Sequence, residues 1–132
     1  LPLAHLTLGW VQLLTGNPDQ GIATLEKGLA LSPENTLYLA QVGQAYGMVG
    51  RLDESRAMLL RLEELSSQRY VSPYHLAYVH TGLGDKERAM DWLERAYRER
   101  AGGIFGVKGS FLFTSLRGHP RFNALLQKMN LA

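Results

Sequence analysis

Gly50-Arg-Leu-Asp53 is one of three similar stretches that decide the fold of this chain. Gly16-Asn-Pro-Asp19 lies 34 residues before it, and Gly84-Asp-Lys-Glu87 lies 34 residues after it. Each predicts a turn, because Gly adopts left-handed backbone easily and so ends one helix before the next begins. The recurrence therefore predicts pairs of helices that repeat along the chain and stack side by side.

A small residue recurs at the same interval in the first helix of each pair, at Gly9, Gly43 and Ala77. We expect adjacent helices to cross closely there, where a larger side chain has no room. The boundaries predict three pairs at about residues 2–35, 36–69 and 70–103, the first helix running from about residue 3 to 15. Asn17 and Ser72, each followed by Pro, are predicted N-caps.

The repeat pattern stops after Arg100. Residues 101–109 include Gly102, Gly103, Gly106 and Gly109 and predict a flexible joint. Ser110 is a predicted cap for a short helix over 111–117, and His119-Pro120 begins a last helix. We expect this tail, 104–132, to cover the exposed face of the final pair. The predicted fold is all-α: a right-handed superhelix of three helix pairs (1–103) plus C-terminal capping helices.

These residues resemble the tetratricopeptide repeat family. Gly9, Gly43 and Ala77 match its small site, Tyr46 its aromatic site and Ala89 the Ala of its second helix. Its large apolar site is matched by Leu25, Leu59 and Leu93, and its closing Pro by Pro33. The resemblance covers about residues 2–103 and implies a concave surface that binds protein or peptide.

The later part of the chain is similar to the C-terminal tails of bacterial multidomain regulators. The residues concerned are Tyr70–Tyr74, Gly84–Ala89, Trp92–Tyr97 and His119–Leu126. In those proteins, repeats follow winged-helix, cyclase or Ser/Thr kinase domains. The resemblance implies a regulatory or docking module of a larger signalling or transcription-regulator protein.

Composition limits the function classes. Residues 1–97 carry eight Lys/Arg and eleven Asp/Glu (−3), and residues 98–132 carry six Lys/Arg and one Glu (+5). We interpret the basic end as a solvated capping helix, so nucleic acid is not the expected partner. The chain contains no run of about 18 apolar residues, so no membrane span is predicted. The start of the chain lacks the features of a signal peptide, and we expect the chain to be a piece of a longer protein. The absence of Cys is compatible with the cytoplasm, or with the periplasm if the larger protein is membrane-anchored.

A groove is the predicted site. Helical phase places aromatic, amide and thioether groups on the concave face, and these suit an extended peptide or helix. The predicted partner-binding residues are Leu6, Trp10, Gln41, Gln44, Met48, Tyr74 and Tyr78. We expect Trp10→Ala to weaken partner capture and leave folding largely intact. The groove lacks the Lys and Arg that a carboxylate clamp requires. The alternative is that Leu6 and Trp10 are covered by an upstream repeat or by a second copy, which makes the chain a homo-oligomerisation unit.

No catalytic, cofactor or metal site is predicted. His75 and His80 point about 140° apart on a helix, and no zinc-binding His spacing occurs. Gly82-Leu-Gly84 follows a helix where a dinucleotide site requires a strand. Val107-Lys-Gly-Ser110 lacks the residue order of a phosphate-binding loop. The sequence therefore predicts a binding module and not an enzyme.

Overall fold

The structure is a computed structural model that describes residues 1–131, and this range contains helices and turns but no strand. The α-helices are α1 (Pro2–Leu14), α2 (Pro18–Leu31), α3 (Thr36–Met48), α4 (Leu52–Ser66), α5 (Pro73–Gly82), α6 (Lys86–Arg98) and α7 (Pro120–Lys128). Two short 3-10 helices, Ile104–Gly106 and Phe111–Leu116, lie between α6 and α7. The all-α prediction is confirmed. No helix within residues 1–131 combines the length and apolarity needed to cross a membrane.

Side-chain caps begin several of the helices. Asn35, Ser72 and Ser110 each accept a hydrogen bond from a backbone N–H in the first turn that follows. Asn17 stands at the predicted cap position but its side chain accepts no such bond. Its φ of −119° and ψ of 64° depart from the extended backbone that Asn35 and Ser72 adopt, so its side chain does not reach back over the turn.

Helices α1 and α2, α3 and α4, and α5 and α6 pack as three successive pairs. The small residues lie where the helices of a pair cross. A Cβ atom at Gly9 would lie 2.6 Å from Leu25 Cγ, and one at Gly43 would lie 2.9 Å from Met58 Cβ. Ala77 is fully buried at the equivalent place in the third pair. The prediction that helices cross closely at these small residues is confirmed.

The pairs join each other in two different ways. At the second junction, between the second and third pairs, α3 packs closely on α5. A Cβ atom at Gly47 would lie 2.4 Å from the carbonyl oxygen of Gly82. At the first junction the same two places hold Leu13 and Met48, each 34 residues earlier. Helices α1 and α3 do not pack closely along their length.

The tail of the chain divides into two parts. Helix α7 packs against α6, where Arg121 forms ion pairs with Glu87, Asp91 and Glu94. This part lies against the last pair. Residues 111–116, which we call the inserted segment, instead enter the face shared by α1, α3 and α5.

Candidate functional site

The groove is the face shared by the first helices of the three pairs. Trp10 of α1, Gln44 of α3 and Tyr78 of α5 are equivalent residues, spaced 34 apart along the chain. Each contacts one of three consecutive residues of the inserted segment: Trp10 meets Phe111, Gln44 meets Leu112 and Tyr78 meets Phe113. The groove therefore holds a piece of chain in register with its repeats.

Aromatic rings fill the end of the groove on α5. The Phe113 ring is stacked on Tyr78 at 5.1 Å between centroids, and it lies 5.3 Å from the ring of Tyr74. The ring centroids of Tyr74 and Tyr78 lie 5.0 Å apart. Phe113 is 1% exposed. Such ring pairs contribute about 0.5–1.5 kcal/mol beyond the area that they bury.

An amide side chain forms the middle of the groove. Gln44 is 2% exposed, and its Nε2 donates a hydrogen bond to the Leu112 carbonyl oxygen at 2.6 Å. Its Oε1 accepts no hydrogen bond from any group in residues 1–131. A buried acceptor without a donor typically costs about 1–3 kcal/mol. The inserted segment thus satisfies the donor of this amide but not its acceptor.

The end of the groove on α1 remains accessible. Trp10 Nε1 donates to Gln41 Oε1 at 3.0 Å, and the Phe111 ring meets Trp10 edge-on at 5.6 Å. Phe111 itself is half exposed. We call this part the open half of the groove, and its lining carries no charged side chain among the residues described. It is lined by Leu3, Leu6, Thr7, Trp10, Val11, Leu14, Gln41 and Phe111.

The structure places the seven predicted site residues at different depths. Gln41 is half-buried, and Met48 is 48% exposed beside the inserted segment. The others are buried, namely Leu6, Trp10, Gln44, Tyr74 and Tyr78. Because Trp10 is buried and hydrogen-bonded, Trp10→Ala removes core packing, contrary to the expectation that folding stays largely intact.

The residues that sequence reasoning missed are Phe111, Leu112 and Phe113. The sequence instead predicts that these residues belong to a short helix covering the last pair. The available signal was an aromatic–aliphatic–aromatic run directly after the glycine-rich joint. A run of this kind predicts burial but does not specify which of two apolar faces receives it.

Burial keeps the aromatic end of the groove neutral. It raises the pKa of the Tyr74 and Tyr78 hydroxyls, so both remain protonated at neutral pH. His75 Nδ1 and Thr36 Oγ1 lie 3.0 Å apart, and burial lowers the pKa of His75 to about 4. His75 is therefore uncharged near neutral pH, and the groove favours an uncharged occupant.

The His residues have structural neighbours. His5 Nδ1 lies 3.0 Å from the Leu1 carbonyl oxygen, and His119 Nε2 lies 2.6 Å from a Glu87 carboxylate oxygen. Across the described part of the chain, no group of three or more His, Asp or Glu residues could hold a metal ion.

Comparison with known protein families identifies two matching regions. The tetratricopeptide repeat family matches residues 2–27, which contain α1 and most of α2. A second tetratricopeptide repeat match covers residues 74–101, which contain most of α5 and all of α6. No curated protein shows a significant match. The two matches support a tetratricopeptide repeat protein, and such repeats generally serve as protein–protein interaction modules.

Proposed function

We propose that this chain is a protein-interaction module that binds a partner segment in the groove formed by α1, α3 and α5. The observation that supports the proposal is the inserted segment itself. Three equivalent residues, one from each repeat, contact three consecutive residues of one chain segment. A surface with rings and an amide at these places can receive another segment of the same chemistry.

The open half of the groove supplies room for such a partner. Its wall combines Trp10 with aliphatic side chains, and Val11 and Leu14 are both about half exposed. Exposed apolar surface in a concavity is typical of protein-binding sites. Since charged side chains are absent from the described lining, the expected partner segment is uncharged where it enters the groove.

Peptide selection tests the proposal without knowledge of the natural partner. Random peptides displayed on phage are selected on the immobilised chain, and the affinities of the selected peptides are measured by calorimetry. Met48→Glu places a charge at the rim of the groove, and we expect it to weaken binding at least tenfold, because binding would bury an unpaired carboxylate.

Leu60→Glu is the matched control. Leu60 lies on α4 and is 57% exposed, comparable with Met48, so both substitutions should change folding stability by no more than about 0.5 kcal/mol. We expect Leu60→Glu to leave affinity unchanged. Equal affinities for the two variants, or no selected peptide that binds, would reject the groove as the binding site.

We propose further that the module is the docking part of a larger bacterial signalling or transcription regulator. The similarity of Tyr70–Tyr74 and His119–Leu126 to the tails of such proteins supports this. The reading frame upstream of the Leu1 codon tests it. A winged-helix, cyclase or kinase domain in frame is the expected finding, and a stop codon directly upstream contradicts the proposal.

The alternative function is homo-oligomerisation through α1. This helix contains no Asp, Glu, Lys or Arg, and Leu3, Leu8, Val11 and Leu14 are each at least half exposed. Sedimentation velocity over a concentration series separates the alternatives. A sedimentation coefficient that rises with concentration and falls again in Leu8→Glu supports self-association. A monomer at every concentration rejects it.

A further inference from the structure

The inserted segment lies in the groove as a bound peptide would. Its Phe113 ring contacts α5 at one end of the groove, and its Phe111 ring contacts α1 at the other end. Its Leu112 carbonyl oxygen contacts α3 in the middle. It enters from the glycine-rich joint and leaves through Arg117 and Gly118 toward α7. The question is whether it is a permanent part of the core or a displaceable occupant.

Gln44 indicates that the inserted segment is an incomplete fit. The Gln44 Oε1 is buried and, within residues 1–131, accepts no hydrogen bond. One candidate donor is the Leu112 backbone N–H, because the carbonyl oxygen of the same residue already accepts a hydrogen bond from Gln44. That N–H instead donates a hydrogen bond to Ser110 Oγ, with 3.3 Å between the nitrogen and the oxygen, since Ser110 caps the 3-10 helix.

An extended segment would fit Gln44 better. In extended backbone the N–H and C=O of one residue can bond the same neighbour, as they do in an antiparallel ladder. A Gln side chain offers both a donor and an acceptor and can pair with both groups at once. An extended partner at the place of Leu112 would therefore satisfy both ends of the Gln44 amide.

The joint before the inserted segment contains glycines that packing does not require. A Cβ atom at Gly102, Gly106 or Gly109 would meet nothing within 4 Å, and none of the three has left-handed backbone. Gly103 differs, since its φ is +87° and its Cβ would lie 3.0 Å from the Tyr74 ring. Glycine without a steric or conformational role increases the freedom of the chain. Short 3-10 helices also have weaker hydrogen bonds than α-helices.

We propose that the inserted segment is a built-in competitor for the partner groove. The partner that displaces it is an uncharged segment that binds in extended conformation. The partner's backbone engages both ends of the Gln44 amide, and one of its aromatic side chains replaces Phe113 against Tyr74 and Tyr78. This inference rests on the proposed function of the groove. A competitor that fills the groove 99.9% of the time would raise the partner's apparent Kd about 1,000-fold.

A peptide that copies the inserted segment provides the probe. The fluorescently labelled peptide Ser110–Leu116, blocked at both ends, is titrated into the full chain and followed by fluorescence anisotropy. We expect weak binding to the unmodified chain. In Phe113→Ser the tethered copy loses the ring that stacks on Tyr78, so we expect affinity for the peptide to rise at least tenfold.

Phe105→Ser is the matched control for this variant. Phe105 lies in the same connection but is 59% exposed and makes no ring contact with the groove. We expect it to leave affinity unchanged. If Phe113→Ser retains native far-ultraviolet circular dichroism and binds the peptide no better than the unmodified chain, the inserted segment is not a competitor.

A crosslink tests the same proposal if Phe113→Ser does not fold. Leu14 and Ser115 are both exposed and line one cavity between α1 and the inserted segment, and the natural chain has no Cys. In Leu14→Cys/Ser115→Cys, a short bis-maleimide should fix the segment in place. We expect the treated protein to lose at least tenfold in affinity for the phage-selected groove peptides, compared with the same protein untreated.

The outcomes separate the two proposals. Selected peptides that depend on Met48 but bind the crosslinked and untreated proteins equally would overturn the competitor while leaving the groove function intact. The absence of any peptide sensitive to Met48→Glu would overturn the groove function itself.

Discussion

The junction between the second and third helix pairs and the junction between the first and second occupy equivalent places in the stack, but their helices approach each other differently. Gly47 and Gly82 let the backbones of α3 and α5 touch, whereas the equivalent residues of α1 and α3 are the larger Leu13 and Met48. A difference in side-chain volume at these two repeat positions thus accompanies the difference in how closely neighbouring repeats approach.

The packing inside the groove differs in the same way between its two ends. Beside the close junction, Phe113 is enclosed against Tyr74 and Tyr78. Beside the wide junction, Phe111 stays half exposed against Trp10, and the open half of the groove begins. One continuous surface therefore has a filled end and an accessible end.

The largest contrast is expected between the two Phe residues of the inserted segment. Phe113→Ala removes a fully enclosed ring and should lower the free energy of unfolding by about 3–5 kcal/mol. Phe111→Ala removes a half-exposed ring and should lower it by about 1 kcal/mol. Urea denaturation followed by circular dichroism measures both. Losses of equal size would show that the two ends of the groove are equally packed.

Acid should weaken the second junction selectively. His75 of α5 contacts Thr36 of α3, and burial lowers its pKa from 6.5 to about 4. The unfolded chain therefore binds more protons between these values, so stability is full above about pH 6.5 and falls as the pH drops toward 4, by at most about 3 kcal/mol. Denaturation midpoints at several pH values should fall over this window and fall less in His75→Gln.

His80 contributes in the same direction, because burial lowers its pKa as well. His75→Gln should therefore flatten the profile only in part. At the first junction the residue equivalent to His75 is Gln41, which does not titrate, and its bond to Trp10 should persist across the window. Equal pH profiles for the unmodified chain and His75→Gln would refute the assignment.

Gly47→Ala tests the close approach directly. Its new Cβ would lie 2.4 Å from a backbone oxygen, so α3 and α5 must move apart, and overpacking of this kind costs about 1–3 kcal/mol. Gly109→Ala is the control, since its Cβ would meet nothing within 4 Å. Thermal denaturation should separate the two variants. A Gly47→Ala variant as stable as Gly109→Ala would show that the junction tolerates the width found between α1 and α3.

The smallest effect is expected at the C-terminal end of the stack. Arg121 of α7 pairs with three carboxylates of α6, two of which are mostly exposed. Exposed ion pairs contribute little, so Arg121→Met should lower the free energy of unfolding by about 1 kcal/mol or less. The difference should shrink in high salt, which screens the pairs. A difference that is independent of salt would indicate packing by the Arg121 side chain instead.

Much of the fold could be predicted from the sequence because its signals are local. Gly16, Gly50 and Gly84 all adopt positive φ at the predicted turns, and Ser72 and Ser110 cap the predicted helices. Such features depend on backbone geometry within a few residues. The aromatic and amide character of the groove was also predicted, since helical phase places Gln44 and Tyr78 on one face.

The depth of the groove residues could not be predicted in the same way. Gln44 and Tyr78 are buried because residues more than 30 positions later contact them. Nothing local to Phe111–Phe113 distinguishes the groove from the face of the last pair as the place where the segment packs. Both are apolar, and burial by the hydrophobic effect is not directional.

The sequence alone determined the period, the turns and the sites where helices of one pair cross, because each depends on backbone conformation or on the absence of a side chain at a fixed spacing. Only the tertiary structure decided that α3 meets α5 more closely than α1 meets α3, and that the chain's own residues occupy part of the groove. Those outcomes depend on competition between surfaces far apart in the chain, and side-chain shape decides which surfaces pack together.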